Sequence, residues 1–150
     1  MQYNWNWGVL LQDPYFGWVW SGLGWTVTTA CAAWVIAFSL GSVIGVMRTT
    51  NIGILRAIGT AYVELFRNIP LLVQMFLWYF VFPEVLPHDA GMWVKRELPL
   101  PEFSTAVICL GTYTASRVAE QVRAGIESIG QGQRYAGLAM GLTPAQVYRY

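Results

Sequence analysis

Charge is what this sequence has least of. Asp, Glu, Lys and Arg make up 11% of its 150 residues, where a water-soluble domain carries about a quarter. No lysine or arginine precedes Arg48, so the basic opening of a cleavable signal peptide is missing. The net charge is +1 and no basic cluster appears, which removes nucleic acid from the expected partners. One histidine, His88, stands between Pro87 and Asp89, and Cys31 and Cys109 each sit in apolar runs. That excludes a metal-ligand pattern; the cysteines are expected to be small buried hydrophobes and His88 a solvated loop residue. No Gly-rich loop ending in Lys-Ser or Lys-Thr is present, so the usual phosphate cradle for a nucleotide is absent. Nor is there a nucleophile with a base at workable spacing. Glu64, Arg67 and His88 are the only candidates for a membrane-embedded enzyme, and His88 is expected apart from the other two.

What the sequence has in place of charge is long apolar runs. No charged side chain occurs from Pro14 to Met47. Within it, residues 25–47 suffice for one crossing, since about 20 apolar residues cover the hydrocarbon core. A second crossing is expected over 57–82, interrupted by Glu64, Arg67 and Pro70, and a third over 103–122. Arg48 and Arg56 fall in one short connection, and Arg117, Arg123, Arg134 and Arg149 come after Ser116, where the uncharged part of the third run ends, whereas residues 1–24 hold no lysine or arginine. The positive-inside rule then predicts an outside N-terminus, an inside tail and three crossings. An all-α transmembrane bundle is the expected fold, preceded by an interfacial segment over residues 1–24.

Of eight tryptophans, Trp5, Trp7, Trp18, Trp20 and Trp25 fall at the start of the chain, where the ring can anchor at headgroup depth. A Trp-rich soluble core would need polar partners that this stretch lacks. Asp13-Pro14 predicts a break between two interfacial pieces. Ala33, Ala37, Gly41 and Gly45 recur every fourth residue and predict a face that admits close approach by another helix. Gly111, Ala115 and Ala119 repeat the pattern in the third run.

The second run carries the most chemistry. Glu64 and Arg67 are three apart and share a helix face. Pro70 cannot donate to the carbonyl of Phe66, which is left free, and a kink is expected. Asn68 and Gln74 add polar groups. A helix beginning at Ala57 puts Arg67 about 15 Å in, near mid-membrane. Two readings stay open: Glu64, Arg67, Asn68, Pro70 and Gln74 line a translocation path, or Glu64 and Arg67 form a structural ion pair at the cytoplasmic mouth.

In the tail, Gly130 and Gly132 are expected to break the third helix. Gln133 to Met140 predicts a short helix with the small residues Ala136, Gly137 and Ala139, and Gly141 suits a left-handed stop. Thr143 as N-cap, Pro144 at the first helical position and Gln146 at capping-box spacing open a further helix.

Two of these segments carry a resemblance. Glu64-Leu-Phe-Arg-Asn-Ile-Pro-Leu-Leu-Val-Gln74 and Gly132-Gln-Arg-Tyr-Ala-Gly-Leu-Ala-Met-Gly-Leu142 resemble the permease subunits of polar amino-acid importers of the ATP-binding-cassette class, and the likeness extends over the whole chain. The second segment is similar to that family's cytoplasmic ATPase-coupling loop, with Tyr135 where a glutamate usually stands, Ala136 at the first alanine, Gly137 in place of the second, and Gly141 at the glycine. That departure puts a salt bridge from position 135 in doubt. Within the family the chain is most similar to the J-type glutamate/aspartate permeases, through Trp5-Asn-Trp-Gly8, Tyr62–Gln74, Gly91-Met-Trp93 and Ala139–Thr143.

The resemblance implies a multi-pass subunit of the bacterial inner membrane with the type I importer fold, five spans and a periplasmic N-terminus. It implies a sister permease, a homodimeric ATP-binding subunit and a periplasmic amino-acid-binding protein as partners, no cofactor of its own, and ATP consumed by the partner. On that reading residues 25–150 form a permease domain with a coupling segment at 130–143, incomplete at its C-terminal end. A permease for another polar amino acid, or a membrane scaffold that does not transport, are the alternatives.

Overall fold

The computed structural model of the chain describes residues 6–143 and 146–147, without the side chains of Gln131 and Arg134. The expectations placed on Trp5, Pro144 and Arg149 lie outside these residues.

The dominant element is α1, Tyr15–Thr49, preceded by a 3-10 turn at Trp7–Leu11 and a cis Asp13-Pro14 peptide. It starts well before the expected residue 25, so residues 15–24 continue the same helix. At 1.5 Å per residue it is about 52 Å long, more than the hydrocarbon core requires. Three of its hydroxyls are satisfied internally: Thr26, Thr28 and Thr29 donate to the carbonyls of Gly22, Gly24 and Trp25 at 2.8 Å, the arrangement that apolar surroundings demand. Tyr15 to Thr28 is exposed on every side. Trp7, Trp18, Trp20 and Trp25 are all exposed, so they build no soluble core. Cys31 is also exposed, correcting the expected burial, whereas Cys109 is fully buried.

The second expected span is two helices. Helix α2 is Gly53–Asn68; a second segment, Leu71–Val85, comprises α3 (Leu71–Phe76), a π-helical turn (Leu77–Val81) and α4 (Phe82–Val85). The two are bent by 100°. Pro70 is thus the residue before α3, with ψ 140°, rather than a kink inside one helix. The stretch expected as an outer loop contains α5, His88–Arg96, and His88 is its exposed first residue. Lys95 on α5 pairs with Glu84 on α4, and that hydrogen bond holds the Glu84 carboxyl below the usual carboxylate range.

Helix α6, Pro101–Glu127, outruns the expected 103–122 at both ends. Pro101 fits its first turn, and Leu100 before it takes φ 49°. By length and composition α1 alone could cross a bilayer as a single helix among the described residues, and α2 with Leu71–Val85 qualifies as a bent pair. Helix α6 falls short because hydroxyl and charged residues dilute its apolar ones.

The core is the seam between α1 and α6. Ala33, Ala37, Gly41 and Gly45 are buried against Gly111, Ala115 and Ala119, the two stripes of small residues read from the sequence. A Cβ added at Gly41 would lie 2.6 Å from Val118 Cβ, and one at Gly45 would lie 2.6 Å from Val122 Cβ. Trp25 meets Phe103 at one end of the seam, and Gly45 meets Val122 at the other. The two helices therefore run in the same direction, and the chain between them returns. Val63 of α2 packs with Ile44 and Ala119, and Tyr62 donates to the carbonyl of Thr112 at 2.6 Å.

Candidate functional site

Two regions carry the polar chemistry: the bend between α2 and α3 with the arginines beside it, and the short helix after α6.

At the bend, Pro70 and the change of direction leave two carbonyls without helical donors. Gln74 takes both. Its Nε2 donates to Phe66 O at 2.8 Å and Ile69 O at 2.9 Å, and the side chain is 3% exposed. The free Phe66 carbonyl expected from Pro70 is thus capped from within. Gln74 Oε1 is buried without a donor. Asn68 and Pro70 are exposed at the outside of the bend.

Glu64 and Arg67 are not brought together. Glu64 is exposed on a shallow depression with Arg56 and Thr60. Arg67 turns to Glu120 of α6 instead, at 3.6 Å. The same carboxylate accepts from Arg48 of α1 at 2.5 Å and from Arg123, whose Nε is 3.2 Å away; Arg123 also pairs with Glu127. One carboxylate therefore joins three helices. Arg48 ends the uncharged run of α1, so Arg67 sits at the level of that basic end. Arg67 therefore packs beside Arg48, and the Glu64–Arg67 ion pair, one of the two readings left open by the sequence, is not formed. Removing Glu120 would leave three guanidiniums facing one another, which is why the cluster needs it.

Glu120 was not among the candidates drawn from sequence. The one local signal was the spacing of Glu120, Arg123 and Glu127 on one face of a helix. Arg48 and Arg67 are too distant in sequence for any periodicity to link them to it.

The segment expected to couple to an ATPase contains α7, Gln131–Ala139. Gly130 precedes it, so Gly132 lies inside the helix and not at a break, a correction to the expected second breaker. The stop is as expected. Gly141 takes φ 88°, its N–H donates to Leu138 O at 3.0 Å, and Leu142 N–H donates to Gly137 O at 3.1 Å, the full Schellman pattern. Thr143 N–H donates to Gln146 Oε1 at 2.8 Å, and Gln146 N–H returns to Thr143 Oγ1 at 3.4 Å, a capping box. A helix clamped at its C-terminal stop presents Gln133, Tyr135, Ala136, Leu138, Ala139 and Met140 outward; Gly137 is buried. Tyr135 and Met140 are 67% and 77% exposed, an apolar surface on a rigid element.

Residues 37–150 match the family model described as "Binding-protein-dependent transport system inner membrane component". The chain is 51% identical to the glutamate/aspartate import permease protein GltJ of Escherichia coli strain K12, covering all of this chain and 64% of that protein. It is 39% identical to the probable glutamine ABC transporter permease protein GlnM of Bacillus subtilis, over 81% of this chain and 51% of that protein. A crystal structure of an amino acid ABC transporter with histidines superposes on the whole chain with a TM-score of 0.75 and 28% identity, and 63% of that chain is covered. The chain thus spans between about half and a little under two thirds of the length of these relatives.

Proposed function

We propose that this chain, which belongs to the family of binding-protein-dependent transport system inner membrane components, serves in the membrane permease of an ATP-driven importer for glutamate and aspartate. The observation that carries the reading is half-identity, along the whole chain, to a permease named for those two substrates.

The geometry supports a permease. Helices α1 and α6 run parallel, and α2 with Leu71–Val85 makes the return between them, the arrangement that three crossings would need. Arg48, Arg117 and Arg123 lie at one end of the seam; the positive-inside rule makes that end cytoplasmic and the N-terminus periplasmic. Helix α7 then lies in the cytoplasm. Its exposed Tyr135, Leu138 and Met140 suit a groove on a homodimeric ATP-binding partner, which hydrolyses the ATP. Closure of that dimer would push α7 and favour one of two arrangements of the bundle. A sister permease supplies the other half of the path, and a periplasmic binding protein delivers the substrate. Along this chain, Glu64, Arg67, Asn68, Pro70 and Gln74 border the path near its inner mouth. There the guanidinium of Arg67, half exposed and loosely paired, would meet an acidic side chain.

The test is uptake into proteoliposomes. The full-length subunit, its sister permease, the ATPase and the binding protein should accumulate labelled glutamate and aspartate only with ATP. Accumulation of glutamine without glutamate would move the assignment to another polar amino acid. ATP hydrolysis with no uptake of either would leave a scaffold.

A further inference from the structure

We propose that α2 lies flat in the inner leaflet, its Ile54, Ile58 and Leu65 resting on acyl chains, and is not half of a membrane crossing. The bilayer and the leaflet rest on the membrane reading and orientation given above; substrate and partners play no part.

Direction comes from the contacts. The Leu71–Val85 segment runs back along α6: Leu72 and Phe76 share a cavity with Cys109, and further along Tyr79 donates to Glu102 at 3.4 Å. Helix α2 meets that segment at 100°, so it lies across α6 rather than beside it. Its own neighbours trace the same crossing. Gly59 faces Arg48 and Ile44 of α1, Val63 packs with Ile44 and Ala119, and Arg67 reaches Glu120 of α6. A helix athwart a seam that stands near the membrane normal runs in the membrane plane.

Two side chains tell its upper side from its lower. Thr112 and Glu120 are about 12 Å apart along α6. Tyr62 donates to the Thr112 carbonyl, and Arg67 pairs with Glu120. These two residues of α2 thus reach opposite ways, Tyr62 toward the middle of the membrane and Arg67 toward the basic inner end at Arg48. At 3.6 residues per turn, Ile54, Ile58, Ala61 and Leu65 fall within about 60° of one another, on the Tyr62 side. Arg56, Thr60, Glu64 and Arg67 fall within about 80°, on the other. Gly59 and Val63 form the buried face against the seam, so neither group is covered by it. Ile54, Ile58 and Leu65 are 74%, 55% and 59% exposed. An apolar side toward hydrocarbon and a basic, polar side toward water is the division of a helix lying in a membrane interface. That division runs along the membrane normal, where acyl chains give way to water; a neighbouring protein would cover α2 from the side.

The experiment measures depth. Ile54→Cys, Ile58→Cys and Leu65→Cys are each spin-labelled in a Cys31→Ser background, with the other reactive cysteines of the intact importer complex replaced, in lipid nanodiscs. Relaxation by oxygen against a water-soluble nickel chelate gives the depth of each label. All three should favour oxygen and lie within about 6 Å of one depth, the slope that a tilt of about 20° allows. A label at Thr60→Cys should favour the nickel chelate. A larger spread overturns the proposal, since an upright helix would separate positions 54 and 65 by about 16 Å. Labels shielded from both reagents overturn it too, because protein then covers the face, and so do labels that all favour nickel. If one variant fails to assemble, the depths of the other two decide. Depth is read without uptake, so this placement can fail while the transport reading stands, and the reverse.

Discussion

Replacing Gly41 by alanine tests the seam on which the bundle depends. The added Cβ would sit 2.6 Å from Val118 Cβ, 2.7 Å from the Ala115 carbonyl oxygen and 2.9 Å from Val118 Cγ1. Carbon atoms in contact prefer about 3.5–4.0 Å, so α1 and α6 must part by about 1 Å at this level. A gap of that size forfeits a quarter to a half of each dispersion contact around it, and overpacking of this kind costs about 1–3 kcal/mol. The control is Gly22→Ala, where nothing lies within 4 Å of the new atom and the gain in helix propensity is about 1 kcal/mol. The two substitutions are chemically identical and should move stability in opposite directions. The assay is denaturant titration of the full-length subunit in micelles, followed by tryptophan fluorescence. In a double-mutant cycle, Val118→Gly should return part of the loss in Gly41→Ala, because it removes two of the three clashing atoms. A Gly41→Ala protein as stable as wild type, or a Gly22→Ala protein equally weakened, would refute the account of the seam.

Three further outcomes are expected. Gln74→Leu strips the Phe66 and Ile69 carbonyls of their donor at a cost of about 1–3 kcal/mol each, and spin labels on α2 and α3 should report a broadened distance distribution; an unchanged distribution would show that Pro70 alone sets the bend. Gly141→Val forces a branched residue to φ 88°, a strain of about 1–2 kcal/mol, and should lower uptake per ATP hydrolysed; an unchanged ratio would remove α7 from the coupling role. The Glu84 carboxyl should titrate below its ordinary range and return to it in Lys95→Met. Because the folded value is depressed, the link between α4 and α5 is present at neutral pH and is lost as pH falls through that value; a normal Glu84 titration beside intact Lys95 would deny the pair.

Legibility in the sequence followed the range of each interaction. The stripes of α1 and α6 were readable because small residues every fourth position are a local pattern, whereas their packing against each other is a long-range fact that only the fold supplies. The stop at Gly141 was readable for the same reason, since a left-handed residue is needed just after α7. The start of α1 was not: glycine and tryptophan before residue 25 suggest an interface, yet the helix continues through Gly17, Gly22 and Gly24 with nothing close to them. Pro70 announced a disturbance without its size, because the 100° bend is held by a glutamine that captures two carbonyls across it. Gly132 read as a breaker, but α6 had already ended at Glu127 and Gly132 falls inside α7. Glu120 stayed hidden because two of its three arginines come from other helices.

The glycine and alanine seam has one mechanical consequence. Two helices whose backbones touch, with no long side chains between them to tilt, behave as a single girder. A force applied where α7 leaves α6 must then carry α1 along undeformed. The freedom to move falls to the limb between them, which swings about the glutamine-braced elbow at Pro70 while its far end stays tethered at Leu100.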